Sequence, residues 1–382
     1  MKCVYSKLAV SALTLLFILG CITENLAQQI SSGTFMYDGI ERSYMQYTPS
    51  NLEPNAPLVF NLHGYGSNGT EQMFYSNMNA TAEANGFMVI YPNGTNDVNN
   101  TPHWNAGLMI SQTDDVGFLV ALAEYFQTEF DLDPERTFSC GMSNGGFMSY
   151  HLACNANQTF GAIASVTGTM NQNTFDNCNP GQAVPVLEIH GTADFVVPYL
   201  GAPNIPGWGN FIATPDVIDF WVDNNGCGDF TEAELPNTDP NDNSTVSTKI
   251  YNDCDGNSKV WLYTINNGGH DWPGAFFGQA NQDVNASDVI WEFFSQYDPI
   301  TNTIEAKQER FKISPNPTSD ILQIENAHLL KQIQLLNTNG RVIQSFATNT
   351  SMIDVSDLPN GLYIVQFITN TGQMSTQKLI IQ

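Results

Sequence analysis

The sequence of 382 residues has few basic side chains. Twelve Lys and Arg stand against 38 Asp and Glu, which gives a formal net charge of −26. Such a charge repels phosphate backbones and anionic lipid headgroups, so binding to nucleic acid or to a membrane surface is disfavoured, and neutral substrates are favoured. The same acidity also fits a simpler interpretation, in which it only keeps an exported protein in solution.

The sequence also lacks the motifs that hold a metal ion or a phosphate group. No His, Cys or carboxylate cluster has metal-ligand spacing, and no phosphate-cradling glycine loop occurs. We therefore expect no metal and no cofactor. Beyond the first 27 residues no apolar run is long enough to cross a bilayer, so we expect no stable membrane insertion.

Residues 1–27 have the pattern of a signal peptide. Lys2 and Lys7 precede an apolar run over 8–19 that is too short to span a bilayer. Cleavage after Ala27 fits this pattern, and a weak lipoprotein box, ILGC, would instead leave a lipid on Cys21. Either outcome predicts export to the cell surface or the medium.

The exported chain keeps an odd number of cysteines, which in an oxidising compartment indicates two disulfides and one free thiol. The pairings that are local in sequence are Cys154 with Cys178 and Cys227 with Cys254. Each bridge would stabilise the fold by about 3 kcal/mol. Cys140 ends an apolar run, so we expect it to be a packed core side chain with no redox role.

From Pro57 to His270 short apolar runs alternate with amphipathic stretches, which predicts a mostly parallel sheet flanked by helices. The expected strands are Leu58–Leu62, Phe87–Tyr91, Thr137–Cys140, Ala162–Val166, Val186–Ile189 and Val260–Ile265. Residues 115–130 and 288–294 are expected to be helical. The segment 225–257 lacks periodicity and predicts a surface excursion.

Beyond Pro299 the character of the sequence changes. A polar linker leads to short alternating runs separated by Asn-Gly and Thr-Gly turns, which predict a small, sandwich-like all-β module. We therefore expect a signal peptide over 1–27, a catalytic domain over 28–300, a linker over 301–310 and a C-terminal domain over 311–382.

Gly141-Met142-Ser143-Asn144-Gly145 satisfies the Gly-x-Ser-x-Gly pattern, between a predicted strand and a predicted helix. This context is typical of the nucleophile elbow, a strained turn that exposes the serine hydroxyl near the positive end of a helix. A glycine-rich turn without chemistry is the alternative.

A serine nucleophile needs a base and a carboxylate that orients the base, in the chain order Ser, acid, His for this kind of fold. Asp194 follows the predicted strand 186–189, and His270 follows the strand 260–265. The sequence therefore predicts Ser143, Asp194 and His270 as the triad. The less favoured candidates for base and acid are His63, His103, His151, His190, His328, Asp176, Asp216, Asp219 and Asp271.

The turn Leu62-His63-Gly64-Tyr65-Gly66 ends the first core strand at the level of the elbow. We expect the Tyr65 amide to be one oxyanion donor and the Asn144 amide to be the other, each worth about 3 kcal/mol in the transition state. A purely structural turn would explain the glycines equally well.

These residues resemble the secreted polyhydroxybutyrate-depolymerase and feruloyl-esterase-like hydrolases, which are related to acetylxylan esterases. The resemblance covers about residues 32–294 and includes LVFNLHG, GFMVIYPNG, HWNAG, DDVGF, GMSNGG, HGTADFVVPY, NGC and GGHDWPG. It implies an α/β-hydrolase fold and the same triad. It also suggests that Trp104 and Trp272 line the cleft, although both could be core aromatics, and that Asp115 is structural.

Residues 311–382, with SPNPTSDIL, LLNTNGRVI, LPNGLYIV and a terminal KLIIQ, resemble the C-terminal sorting domain of the type IX secretion system. The resemblance implies recognition by that machinery, often followed by removal of the domain. A carbohydrate-binding module is the alternative, but the sequence lacks the row of aromatics that a sugar platform needs.

Taken together, these patterns predict a monomeric, secreted serine esterase that acts through an acyl-enzyme on Ser143. An aryl or acetyl ester on plant cell-wall polysaccharide and a poly(3-hydroxyalkanoate) chain are equally compatible substrates. A non-catalytic polysaccharide-binding protein on a hydrolase scaffold and a serine peptidase are the alternatives.

Overall fold

A computed structural model describes residues 29–276, 278–297, 313–324, 327, 330–337, 341–346, 350–369 and 374–382. The chain divides into two compact units between Pro299 and Ile300. The predicted signal peptide, including Cys21 and Ala27, and the predicted linker lie outside the described residues, so the four-part domain division stays a prediction.

The first unit is built on a ten-stranded sheet with the order β1-β2-β4-β3-β7-β8-β9-β14-β13-β12. The six strands from β4 to β14 in that order are parallel, and antiparallel pairs complete both edges. The strands of this unit are β1 (Gln29–Tyr37), β2 (Ile40–Thr48), β3 (Leu58–Leu62), β4 (Met88–Pro92), β5 (Thr95–Asn96), β6 (Pro102–His103), β7 (Thr137–Met142), β8 (Ala162–Val166), β9 (Val186–Gly191), β10 (Ala202–Ile205), β11 (Gly209–Phe211), β12 (Phe230–Glu234), β13 (Thr245–Tyr251) and β14 (Val260–Asn266).

Helices cover both faces of this sheet. They are α1 (Gly69–Ser76), α2 (Met78–Asn85), α3 (Asp115–Phe130), α4 (Asn144–Asn155), α5 (Gln172–Asn177), α6 (Thr214–Asn224) and α7 (Ala286–Ser295). Successive side chains of a strand point to opposite faces, so Phe60 packs in the core with α3 and α4, while Val59 packs with α2 and α7. Burial on both faces explains why the central strands appear in the sequence as unbroken apolar runs.

The predicted α/β architecture is confirmed, and the helix over 115–130 has the expected bounds. Asp114 caps this helix by accepting a hydrogen bond from the Gly117 amide at 2.9 Å. The expectation for residues 225–257 is wrong in one respect, because β12 and β13 lie in this segment and extend the sheet. All five residues of β12 are exposed, so no apolar pattern marked the strand.

Both predicted disulfides are formed, Cys154 with Cys178 and Cys227 with Cys254. Cys140 is a free thiol, fully buried on β7. Burial raises the pKa of this thiol well above its ordinary value, so the group stays protonated. These observations agree with two structural bridges and a packed cysteine.

The second unit contains two small antiparallel sheets of three and four strands. Its strands are β15 (Ile313–Ser314), β16 (Ile321–Ile324), β17 (Leu330–Leu336), β18 (Val342–Phe346), β19 (Met352–Asp354), β20 (Gly361–Thr369) and β21 (Met374–Ile381). Alternate side chains, such as Ile333, Leu335, Val365 and Leu379, form an apolar core. Across the described residues of both units, no helix combines the length and the apolar character that a bilayer crossing requires.

Candidate active site

Ser143 lies on the tight turn between β7 and α4. Its backbone has φ 53° and ψ −118°, a left-handed conformation that costs a residue with a side chain of order 1–3 kcal/mol. The Ser143 amide donates to the Val166 carbonyl at 2.9 Å, and the Ser143 carbonyl accepts from the Phe147 amide at 2.9 Å. The neighbouring strand and the new helix therefore hold the strained turn in place.

The two glycines of the elbow are required for close approach of backbones. A Cβ atom at Gly145 would collide with the carbonyl oxygen of Leu62 on β3, and one at Gly141 would lie 2.7 Å from the same oxygen. Real Cβ contacts are longer than this. The Gly-x-Ser-x-Gly pattern thus has a packing reason in addition to its chemical one.

Asp194 lies in the loop after β9 and has almost no exposed surface. Its Oδ1 atom accepts hydrogen bonds from the amides of Val196 at 2.8 Å and Val197 at 2.9 Å. Its Oδ2 atom lies 2.7 Å from Nδ1 of His270. The two amides fix the carboxylate so that one oxygen remains for the imidazole.

His270 lies in the loop after β14, and its side chain is 18% exposed. Because Asp194 accepts at Nδ1, that nitrogen carries the proton and Nε2 is left with its lone pair, the tautomer that a general base needs. The acid and base loops are joined directly, since the Ala193 amide donates to the Gly268 carbonyl at 2.9 Å. Their mutual orientation is therefore set by backbone as well as by side chains.

The three predicted triad residues lie at one edge of the sheet. Ser143 follows β7, Asp194 follows β9 and His270 follows β14, and these strands are parallel in the order β7-β8-β9-β14. In open parallel sheets this carboxyl edge is where ligands bind. The structure joins Asp194 to His270 by a hydrogen bond and puts Ser143 at the same edge.

The turn after β3 packs against the elbow, since a Cβ atom on Gly64 would lie 3.6 Å from the Ser143 Cβ atom. His63 fixes this turn: Nε2 accepts from the Gly94 amide at 2.9 Å, and Nδ1 lies 2.8 Å from the Gly64 carbonyl oxygen. Burial is the main reason that the pKa of His63 is lowered to about 4, so the ring is neutral and Nδ1–H donates. Because the peptide is planar, the Tyr65 N–H points away from the bonded Gly64 carbonyl.

Asn144 follows the nucleophile and holds the loop after β6. Its Oδ1 accepts from the Trp104 amide at 2.7 Å, and its Nδ2 donates to the Trp104 carbonyl at 3.0 Å. The indole Nε1 of Trp104 in turn donates to the His63 carbonyl at 3.0 Å. Trp104 thus connects the two segments that carry the predicted oxyanion donors, the amides of Tyr65 and Asn144.

Trp104 and Trp272 are not cleft-lining residues in this structure. Both are fully buried, and each belongs to one of the two cores that flank the sheet. The suggestion that their rings face a substrate is therefore corrected in favour of the core alternative. An indole is large enough to fill the space between sheet and loops, and sequence alone does not distinguish that use from a cleft wall.

The competing candidates have other partners. His103 is buried and Nδ1 bonds to the Thr95 carbonyl, His151 bonds to Thr174, and Asp271 accepts from the Tyr75 hydroxyl at 3.3 Å. Asp176 accepts from a neighbouring side chain on the exposed face of α5, and Asp216 lies in the first turn of α6. His328 lies outside the described residues. Within the described part of the chain, no three His, Cys, Asp or Glu side chains are grouped as metal ligands would be.

Two buried ion pairs were not anticipated. Arg42 contacts Asp115 at 2.8 Å, and Asp115 also accepts from the Asn105 amide at 2.7 Å, which ties α3 to the loop that carries Trp104. The second pair, Glu188 with His190, lies on β9 directly before the acid loop. A Glu inside an otherwise apolar run was the sequence signal that could have indicated this pair.

The ten-stranded, mostly parallel sheet with helices on both faces is the architecture of an α/β-hydrolase. Residues 46–204 match the family described as Phospholipase/Carboxylesterase, and residues 312–382 match the secretion system C-terminal sorting domain. The first match covers less than half of the chain, so it shows a likeness to the carboxylesterases, while the second identifies the C-terminal segment as a sorting domain of the type IX secretion system. That domain marks it as a secreted or cell-surface protein.

Among its relatives, the feruloyl esterase C of Emericella nidulans is 29% identical over 262 residues, which cover 66% of this chain and 83% of that one. The bifunctional acetylxylan esterase/xylanase of Neocallimastix patriciarum is 26% identical over 260 residues, 68% of this chain. The match spans 34% of the length of that relative. A solved acetyl xylan esterase from Aspergillus awamori aligns with a TM-score of 0.46 and 16% identity, over 70% of this chain and 99% of that one.

Proposed function

We propose that this protein hydrolyses carboxylic esters through an acyl-enzyme on Ser143, with His270 as the base and Asp194 as the acid. The observation that carries the proposal is the 2.7 Å contact between Asp194 Oδ2 and His270 Nδ1, at the sheet edge that also holds Ser143 on its strained turn. A buried carboxylate that orients an imidazole leaves Nε2 as the proton acceptor for an alcohol.

In the first step the Ser143 oxygen attacks the ester carbonyl carbon while its proton passes to His270 Nε2. The tetrahedral oxyanion is stabilised by the amides of Tyr65 and Asn144, and the alcohol leaves with the proton from His270. Water then attacks the acyl carbon, again with His270 as base, which releases the acid and restores Ser143. Asp194 stays ionised throughout and stabilises the imidazolium.

The charge of the first unit supports an uncharged substrate. Residues 29–297 contain four basic side chains, and each has a partner: Arg42 pairs with Asp115, Arg136 with Asp133, Lys249 lies over the Phe230 ring, and Lys259 donates to Gln296. The described segment thus offers few cations that could bind an anionic group, and its two arginines are already paired with carboxylates. Feruloyl or acetyl esters on a neutral polysaccharide, of the kind that the relatives' names print, fit this charge, and so does a poly(3-hydroxybutyrate) chain.

A panel of substrates tests the proposal and separates these substrates. Purified protein is incubated with p-nitrophenyl acetate, feruloylated arabinoxylan, acetylated xylan and poly(3-hydroxybutyrate), and released products are measured. We expect hydrolysis of p-nitrophenyl acetate and of at least one polymer, a loss of at least about 10⁴-fold in Ser143→Ala, and near-normal activity in Asp271→Asn.

Asp271→Asn is the matched control because it neutralises the carboxylate beside the base while leaving the proposed triad intact. Activity on a peptide panel without ester hydrolysis would favour a serine peptidase. Binding of polysaccharide without any hydrolysis would favour a non-catalytic protein on a hydrolase scaffold.

The second unit gives the protein a second partner, the type IX secretion machinery, which we propose reads residues 311–382 during export. A chain that lacks this segment is expected to accumulate inside the outer membrane and to keep its esterase activity in cell extracts. Equal amounts of both forms in the medium would contradict the proposal.

A further inference from the structure

A buried ion pair lies directly behind the proposed triad acid. Glu188 and His190 are two residues apart on β9, so their side chains point to the same face, and both are at most 1% exposed. Removing a carboxylate from water costs several kcal/mol unless its partners are well arranged. The other side chains of this strand are Val, Leu and Ile, so the pair stands out as a feature that stability alone does not require.

Both nitrogens of the His190 ring face acceptors. Nδ1 lies 2.8 Å from Glu188 Oε1, and Nε2 lies 2.8 Å from the Val197 carbonyl oxygen, which can only accept. The other carboxylate oxygen of Glu188 accepts from the Tyr150 hydroxyl at 2.8 Å. An imidazole that donates from both nitrogens carries a positive charge.

The energetic balance agrees with this geometry. Burial lowers the pKa of His190, but the hydrogen bond and charge of Glu188, with the Val197 carbonyl and Asp194, raise it by more, so the net pKa is raised. Burial raises the pKa of Glu188, and His190 opposes this rise. The direction of the His190 shift agrees with the two acceptors that its ring nitrogens face.

His190 contacts the triad acid in two ways. Its Nε2 atom lies 3.5 Å from Asp194 Oδ2, the same oxygen that accepts from His270. It also bonds the carbonyl of Val197, whose amide donates to Asp194 Oδ1. Charge and loop geometry at Asp194 therefore both depend on His190.

Few other titratable groups face this pair. Tyr150 on α4 stays neutral, because burial raises its pKa well above the ordinary value, and Tyr199 from the loop after β9 packs against the His190 ring. Thr214 of α6 contributes a neutral hydroxyl 3.3 Å from Nδ1. The charges near the ring are thus those of Glu188, Asp194 and, when protonated, His270.

We propose that Glu188 and His190 form a positioning pair for the triad acid and set the pH range in which His270 works as a base. A cation beside Asp194 Oδ2 weakens the negative potential that would otherwise stabilise a protonated His270. His270 therefore stays unprotonated, and able to act as a base, down to a lower pH. This inference rests on the proposed function, because it assigns the pair a role in the same site.

The pH dependence of kcat/KM on p-nitrophenyl acetate tests the proposal in His190→Gln and Glu188→Gln. We expect the acid limb of the pH profile to move to higher pH by about one unit in His190→Gln, which removes the cation. The same shift is expected in Glu188→Gln, because the buried His190 ring then lacks the carboxylate that keeps it charged. We also expect kcat to fall about tenfold and KM to change less than about twofold. Thr214→Val is the matched control, because it removes a neutral contact to the same ring, and its acid limb should coincide with that of the wild type.

An unshifted acid limb in His190→Gln, with only a lower unfolding temperature, would overturn the proposal and leave the pair as a structural feature. A second measurement does not depend on activity or on the variants. Imidazole ¹⁵N–¹H spectra of the wild type at pH 7 should show both nitrogens of His190 protonated, and a single protonated nitrogen would overturn the charge assignment. If no ester is hydrolysed, the proposed function fails, while the spectra still decide whether the cation exists.

Discussion

The two units of this chain differ in what they bury. The first unit buries two ion pairs, Arg42–Asp115 and Glu188–His190, together with many hydrogen-bonded polar side chains beside its candidate site. In the second unit the described buried side chains are apolar, with Thr318 as the exception. The contrast shows that the polar interior belongs to the unit that carries the candidate active site. An apolar core is enough for a unit that holds none of the proposed catalytic residues.

The contrast is sharpest at Arg42, whose replacement should have the largest effect. Arg42→Met leaves Asp115 buried without its cation, so we expect the free energy of unfolding of the first unit to fall by about 4 kcal/mol. Urea denaturation followed by tryptophan fluorescence measures this. Arg136→Met is the matched control, because the Arg136–Asp133 pair is partly exposed and should cost less than about 1 kcal/mol. Equal losses in the two variants would show that burial gives the Arg42–Asp115 pair no special weight, and would contradict the role assigned to the polar interior of the first unit.

The apolar core of the second unit should instead be destabilised by a substitution that leaves a cavity. Leu379→Ala removes a fully buried side chain and should destabilise that unit by about 3 kcal/mol. Limited proteolysis over a urea series reports this loss, and esterase activity should stay at the wild-type level because the proposed catalytic residues lie in the first unit. Ile380→Ala, on the exposed face of the same strand, should change stability by less than about 1 kcal/mol. A comparable loss of stability in Ile380→Ala would contradict the assignment of Leu379 to the core.

The neutral buried histidine makes the first unit sensitive to acid. His63 takes up a proton near pH 4 in the folded protein and near pH 6.5 when unfolded, so between these values the unfolded chain binds more protons and stability falls as pH falls. Lowering the pH from 7 to 4.5 should therefore destabilise the wild type by about 2 kcal/mol more than His63→Gln. Denaturation curves at both pH values give the difference, and parallel pH dependence of the two proteins would contradict the neutral ring.

The smallest expected effect is on turnover, and it compares two buried tryptophans of which, in the described part of the chain, only Trp104 donates an indole hydrogen bond. Trp104→Phe removes the indole donor to the His63 carbonyl and should lower kcat about tenfold with little change in KM, because the two oxyanion donors lose part of their connection. Trp272→Phe is the control, since its buried indole N–H has no hydrogen-bond partner among the described residues. Similar kinetics for the two variants would argue that the connection through Trp104 has no catalytic consequence.

Much of the fold could be predicted because its central strands are buried on both faces. Val186–Ile189 and Val260–Ile265 appeared as apolar runs, and the residues after them, Asp194 and His270, followed from the chain order of the triad. The β12–β13 hairpin was missed because β12 buries none of its side chains and so leaves no periodic pattern.

The parts of the site that sequence reasoning missed depend on contacts across the chain. Spacing on β9 shows that Glu188 and His190 share a face, but it does not show that His190 lies 3.5 Å from Asp194. The Asn144 side chain bonds to a loop 40 residues away, and no local pattern indicates that partner. The same limit explains why Trp104 could be identified as important and yet be given a substrate contact in place of a structural one.

Trapping the covalent intermediate tests the central claim most directly. Wild-type protein is mixed with p-nitrophenyl acetate, quenched in acid within the first turnover, digested and mapped by mass spectrometry. We predict one acetyl group, on the peptide and side chain of Ser143, and none in Ser143→Ala. An acetyl group on another residue, or undiminished turnover by Ser143→Ala, would contradict the account.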